Sequence, residues 1–321
     1  MNIGECMKYY RIFKGMTQKQ VGDGICTPGH ISKIESGHLH VTKDKLDLFN
    51  QRLGINIEHE RKAYQKLQTK LVVWHDAMIK QVNGKVELLK ETIEQNPLVK
   101  IETLNGTYKL LKARYLMGKG DVQEAAFLLN QLSTKRLSYY MREYDHHLYY
   151  HIKGIFELLK GEAAAAIDVL RKIDPKVYTN FEYHYHMALA HQQLGQHELA
   201  ILHGEMSLHH FKDTFNFTRC IDAAMVQLIS EHNNGEGHLE RLEVKHIELI
   251  KHCEDLHDHR RKAILYMNLG NVYRDVMNER KAKEAFQTAD SLLKHDAPKP
   301  HGEDGLLLNH VCRAKKELLP V

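Results

Sequence analysis

The chain has 321 residues, room for two or three domains, and 43% of them are hydrophobic, so packed cores are expected along its length. No apolar run reaches 18 residues and the opening MNIGECMKYY lacks the apolar core of a signal peptide, which argues against a membrane span or secretion and for a soluble, cytoplasmic protein. The net charge is +4, and residues 1–58 hold eight Lys/Arg against six Asp/Glu, so binding of polyanions by bulk charge is excluded and any such affinity must come from placed contacts.

The first element is a helix from Ile3 to Lys14, with Ile3, Met7 and Tyr10 near the 3.6-residue repeat and Gly15 as its stop. Thr17 then stands as an N-cap with Gln20 three residues on, the spacing of a capping box, and the short helix it opens runs out at Gly22-Asp23-Gly24. Thr27 caps a second short helix whose first residue is Pro28, where the missing N–H costs nothing and the fixed φ helps. Ile31 and Ile34 are its inward side. Gly29, His30, Ser32 and Lys33 are left outward, where a helix-turn-helix presents its second helix to base edges. After the turn Ser36-Gly37-His38, Thr42 caps a fourth helix, Lys43 to Leu53, with Leu46, Phe49 and Leu53 inward and Gly54 at its end.

About the first 58 residues resemble the XRE/Cro family of helix-turn-helix repressors. The resemblance is carried by Ile3-Gly4, Arg11, Gly15 to Val21, Ile31 to Gly37, and Leu46 to Ile55, with Pro28-Gly29-His30 as a departure at the start of the recognition helix. It implies a five-helix DNA-binding domain over residues 1–57, with Gln18 and its neighbours on phosphate. The expected DNA-facing set is Thr17, Gln18, Lys19, Thr27, Pro28, Gly29, His30, Ser32, Lys33 and Lys43.

A longer helix from near Glu58 to Lys80 follows, with Leu67, Leu71, Trp74 and Met78 as its apolar stripe. We read residues 58–96 as a connector and a divergent first hairpin. From residue 97 to 296 the chain repeats. A small residue early in one helix is answered by alanine 12 positions later and a larger apolar residue 16 positions later: Ala113, Ala125, Leu129; Gly154, Ala166, Leu170; Gly270, Ala282, Phe286, followed by Ala289. Ala188 and Ala200 fit the first two places, with Gly204 in the third. Turn glycines Gly120, Gly161 and Gly195 stand seven residues after Ala113, Gly154 and Ala188. Phe215 to Glu231 and His238 to Leu256, parted by Asn233-Asn234-Gly235, supply one more pair. Past the break Ala297-Pro298-Lys299-Pro300, residues 297–321 hold a capping helix, Gly305 to Leu319. The pattern is similar to the tetratricopeptide repeat, most closely at Asn268 to Tyr273, and implies an all-α chain whose helix-turn-helix domain precedes a right-handed helical solenoid.

Twenty-four histidines invite a metal reading, but the spacings do not support one. His197 and His203 are six residues apart, about 240° around a helix, and His146-His147 and His209-His210 point apart. The five cysteines, Cys6, Cys26, Cys220, Cys253 and Cys312, are scattered with no C-x-x-C pair. With no phosphate-cradling loop, no G-x-S-x-G and no cysteine–base pattern, neither an enzyme nor a cofactor or metal site is expected. A repeat array instead offers a concave surface lined by the first helix of each pair. Projection from the anchors selects Arg114, His151, Tyr185, Gln192, Met267, Asn268, Asn271 and Arg274. Amides there can bond a peptide backbone and arginine a carboxylate.

The order and lengths of the two parts resemble the RRNPP family of peptide-pheromone receptors, in layout its PlcR-like members. That resemblance implies a homodimeric transcription regulator whose repeats bind a short signalling peptide and thereby change DNA binding. The alternatives are a peptide-independent, phage-borne repressor and a repeat adaptor for a protein partner.

Overall fold

The computed structural model describes residues 1–132, 142–235 and 238–295. The capping helix expected at Gly305 to Leu319 lies outside them, as does Cys312. The chain divides into two compact units, Met1–Tyr108 and a second that starts at Lys109.

The first unit opens with α1 (Ile3–Phe13), α2 (Gln18–Gly22), α3 (Pro28–Glu35), α4 (Lys43–Leu53) and α5 (Ile57–Ile79). Cys6, Met7, Val21, Ile31, Ile34, Leu46, Phe49, Leu53 and Ile57 close one core, so the start of the long helix belongs to the head. Two further ties hold it: Cys6 Sγ donates to the Ile57 carbonyl, and the Tyr10 hydroxyl donates to the Glu60 carboxylate. The capping box at Thr17 and Gln20 forms, and Thr27 accepts the His30 N–H with Pro28 at the first helical position. Thr42 has the extended backbone of an N-cap, but its side chain makes no capping hydrogen bond. Gly4 fits α1 against the end of α3 so tightly that a Cβ there would lie 1.8 Å from the Ile34 carbonyl oxygen. Packed on α5 are α6 (Asn83–Glu94) and a 3-10 turn, Pro97–Lys100. Trp74 on α5 donates its indole N–H to the Val86 carbonyl, 3.1 Å away.

The second unit takes over within α7 (Glu102–Lys119) and continues through α8 (Val122–Leu132), α9 (Glu143–Leu159), α10 (Ala163–Leu170), α11 (Tyr183–Gln193), α12 (His197–Asp213), α13 (Phe217–Asn233), α14 (Leu239–Asp255), α15 (His259–Asp275) and α16 (Glu279–His295). These are helical hairpins in series. First helices also pack on first helices: α9 on α11, α11 on α13 and α13 on α15. The repeat code is the reason the hairpins close. A Cβ on Gly154 would fall 2.5 Å from Leu170, and one on Gly270 would fall 2.6 Å from Phe286, so the bulky residue of each second helix occupies the space its partner's glycine leaves. Where the third place is Gly204, Gln227 of the next hairpin fills it instead, 2.8 Å from a built Cβ.

The hairpin turns need a left-handed residue, supplied by Gly120, Gly161 and Gly195 at φ of +84°, +83° and +68°. The corresponding place after Gly270 is Met277, also left-handed at +59°. Among the described residues no helix is long and apolar enough to cross a membrane.

Candidate nucleic-acid interface and repeat pocket

Each side chain expected to meet DNA is placed by a cap or by the core beneath it. Ile31 and Ile34 bury the underside of α3, which leaves Thr27, Pro28, Gly29, His30, Ser32 and Lys33 exposed along its start and outer face. His30 Nδ1 lies 3.0 Å from the Thr27 hydroxyl, so the ring is tied to the cap. A Cβ on Gly29 would touch nothing within 4 Å, which means the backbone is open to any surface brought against it. Thr17, Lys19 and Lys43 are exposed as well. Gln18 is half-buried, and its amide Nε2 donates to Glu35 at 2.9 Å. Glu35 in turn receives Arg11 through both Nε (2.6 Å) and a terminal nitrogen (3.0 Å), while Arg11 also donates to the Met16 carbonyl. Sequence reasoning missed this Arg11–Glu35–Gln18 chain. It orients Gln18 at the start of α2, where unpaired N–H groups and the helix dipole favour an anion.

In the repeat body a cavity of about 150 Å³ opens between α11, α13, α14 and α15. Four of the eight residues expected on the concave surface line it: Gln192, Asn268, Asn271 and Arg274. His232 and His246, which the projection passed over, line it too. Gln192 Nε2 donates to the Val226 carbonyl (3.2 Å) and to Ser230 Oγ (3.4 Å), so its oxygen faces away from them and has no partner. His246 Nδ1 is 2.7 Å from the Leu242 carbonyl and must carry its proton there; Nε2 is buried and unpartnered. Burial pushes His246 down to about 4, so the ring is neutral and Nε2 is an acceptor. Asn268 Nδ2 is a third buried atom without a partner. At the rim, Arg274 Nε is 3.3 Å from Asp275, whose other oxygen bonds His232 at 2.9 Å.

The remaining four residues correct the open-groove expectation, because Arg114, His151, Tyr185 and Met267 are all buried and none lines the cavity. Arg114 makes a two-pronged pair with Glu182, 2.6 and 2.8 Å. Burial alone would raise the Glu182 carboxyl, but the Arg114 charge and hydrogen bonds hold it well below the usual carboxylate range. His151 bridges the Tyr178 hydroxyl (2.8 Å) and His186 (2.9 Å), and the Arg219 guanidinium lies 5.3 Å over the Tyr185 ring. The physical reason is the long connection from α10 to α11. It carries Tyr178 and Glu182 inward onto Arg114 and His151. Helical projection gives the direction of a side chain but not what the next connection lays over it. From Glu182 the charges continue through Arg219 and Asp222 to Arg261, where Asp222 accepts at 2.6 and 2.9 Å. Among the described residues no group of three His, Cys, Asp or Glu could hold a metal ion.

Residues 7–59 match the family model of the helix-turn-helix HTH_3. The regulatory protein RapD of Bacillus subtilis (strain 168) is 25% identical over 236 residues, covering 69% of this chain and 63% of that protein. The transcriptional activator NprA of Geobacillus stearothermophilus is 23% identical over 209 residues, 59% of this chain and 50% of that one. The chain thus spans less than two thirds of these curated relatives. NprR, solved in complex with its cognate peptide NprX, has the same fold at a TM-score of 0.64 and 23% identity, covering 79% of this chain and 74% of NprR. Residues 7–59 of the present chain thus match a helix-turn-helix model, and 79% of the chain shares the fold of NprR.

Proposed function

We propose that this chain is a transcription regulator that reads an operator with α3 and whose repeat body takes a short peptide at the Gln192–Asn268–Arg274 cavity, altering its hold on DNA. The observation that carries the reading is α3 itself: its apolar side is locked in the core and its first turn, from Thr27 to His30, is bare. A peptide-bound NprR with the same fold, and a relative named as a transcriptional activator, support it. The regulator works as a cytoplasmic homodimer, without a cofactor or an enzymatic step. Two recognition helices in one dimer must lie about 34 Å apart, or a multiple of that, to enter successive major grooves. Coupling of ~1–3 kcal/mol between peptide and DNA then changes operator affinity roughly 5- to 150-fold.

The test is a gel-retardation titration on DNA from upstream of the regulated gene, with and without peptides from culture supernatant. Specific retardation that responds to peptide is expected. Retardation with no specificity, or complete indifference to every peptide fraction, would overturn the proposal. A second reading, a repeat adaptor for a protein partner, is favoured by the exposed stripe Leu199, Leu202 and Met206 along α12.

A further inference from the structure

The cavity in the repeat body carries a hydrogen-bonding code, and we propose that it recognises a primary carboxamide, the side-chain end of an asparagine or glutamine. This rests on the reading that the ligand is a peptide, and names the part of it that enters. Three polar atoms from three helices have no partner among the described residues: Gln192 Oε1, His246 Nε2 and Asn268 Nδ2. Their residues are only 6%, 1% and 4% exposed and all line the cavity. The first two are acceptors, because Gln192 Nε2 is committed to Val226 and Ser230 and His246 Nδ1 to Leu242. The third is a donor.

Two acceptors and one donor are the complement of a –CONH₂ group, which has two N–H donors and one carbonyl oxygen. Other chemistries leave something unpaired. A backbone amide has one donor for two acceptors. A carboxylate has none, and would set its charge against Gln192 Oε1 and His246 Nε2. An ammonium has nothing to accept from Asn268, and an alkyl group orphans all three. Each such vacancy weakens binding roughly 10- to 100-fold. Leu228 and Val272 form apolar wall for the methylenes behind the amide, and about 150 Å³ admits a group of benzene size. Arg274 and Asn271, half-buried at the rim, are left for the ligand's main chain.

The experiment uses the full chain with isotope-labelled histidine, the His246 imidazole signals being assigned from His246→Gln. Propionamide, N,N-dimethylpropionamide and propionate are titrated separately at neutral pH. A saturable shift of the Nε2 signal with propionamide is expected, with the other two weaker by ~10- to 100-fold. Equal responses to all three, or no response to propionamide, would overturn the assignment. A second arm reads the unlabelled full chain on an array of hexapeptides. Dependence on Asn or Gln at one position supports the proposal, and tight binding with no such dependence overturns it. If no peptide binds but the propionamide response stands, the cavity's chemistry is supported and the peptide-receptor reading is what falls.

Discussion

Gly4 and Ile34 meet backbone to backbone, with no room for a methyl group between α1 and the end of α3. The contact is with a carbonyl oxygen, which cannot rotate aside as the end of a side chain can. Gly4→Ala should therefore cost about 3 kcal/mol, the upper part of the range for overpacking, and lower the urea midpoint of the first unit. Gly29→Ala meets open space and should leave that midpoint within ~0.5 kcal/mol of wild type. If Gly29→Ala nonetheless weakens operator binding, the backbone at residue 29 approaches the duplex; equal midpoints for Gly4→Ala and wild type would refute the packing.

Lys33→Ala combined with Gln18→Ala should abolish specific retardation of the upstream DNA while far-UV circular dichroism stays unchanged. Lys33 is exposed on α3, and Gln18 is held by Glu35 at the start of α2. Arg11→Met, which lets Glu35 and Gln18 drift, should weaken binding without touching DNA itself. Retained specificity in the double variant would mean that the reading surface lies elsewhere.

Arg114 and Glu182 are fully buried, so removing one partner is worse than removing both. Arg114→Met should destabilise by about 3–5 kcal/mol, and adding Glu182→Leu should restore a large part of it. A double variant less stable than Arg114→Met in chemical denaturation would contradict this. The carboxyl of Glu182 sits below its ordinary value in the folded chain, so its contribution is complete above the ordinary carboxylate range. It is lost as pH falls through the folded value, because the unfolded chain takes the proton first.

Histidines set a second, higher window. Burial pushes His184, His203 and His246 down from 6.5 to about 4, and His184 and His203 share a 2.8 Å contact between their Nδ1 atoms, so those two titrate as a pair. Their folded values lie below the unfolded one, so the unfolded chain binds more protons between about 6.5 and 4. Stability should fall steadily as pH drops through that interval, by up to about 3 kcal/mol for the deeply buried His246 and by less for the coupled, less enclosed pair His184 and His203. His246→Gln should make the urea midpoint less steep against pH there; an unaltered slope would count against its buried, neutral state.

Met277 is left-handed and 86% exposed. Met277→Gly removes a strained φ and almost no packing, and should stabilise the last hairpin by about 0.5–1 kcal/mol, seen as slower exchange of the amides of α16. Faster exchange would show that the methionine side chain holds the turn.

Local chemistry makes the framework legible in the sequence: Thr17 with Gln20, Thr27 with Pro28, and small residues answered by alanine and then Leu170 or Phe286 all lie within reach along the chain. The extra hairpin is readable for the same reason, from two apolar-periodic runs parted by Asn233-Asn234-Gly235. What stays hidden depends on residues far apart in sequence. Glu182 covers Arg114 across 68 positions, and Gln227 enters the space at Gly204 from the next hairpin. His246 joins Gln192 and Asn268 only because α14 closes against α13 and α15. Met277 escapes the turn pattern because it takes a glycine's conformation without being one, and Thr42 has a cap's backbone but not its hydrogen bond.

Ile57 completes the core of the head, and Glu60 fastens α5 to Tyr10 one turn later. A head severed at residue 57 would therefore keep the plug but lose its clasp, and should fray at α1 where one ending near Tyr64 would not. The first turns of α5 are thus held by the head's own core and hydrogen bonds, which anchor that helix at least as far as Glu60.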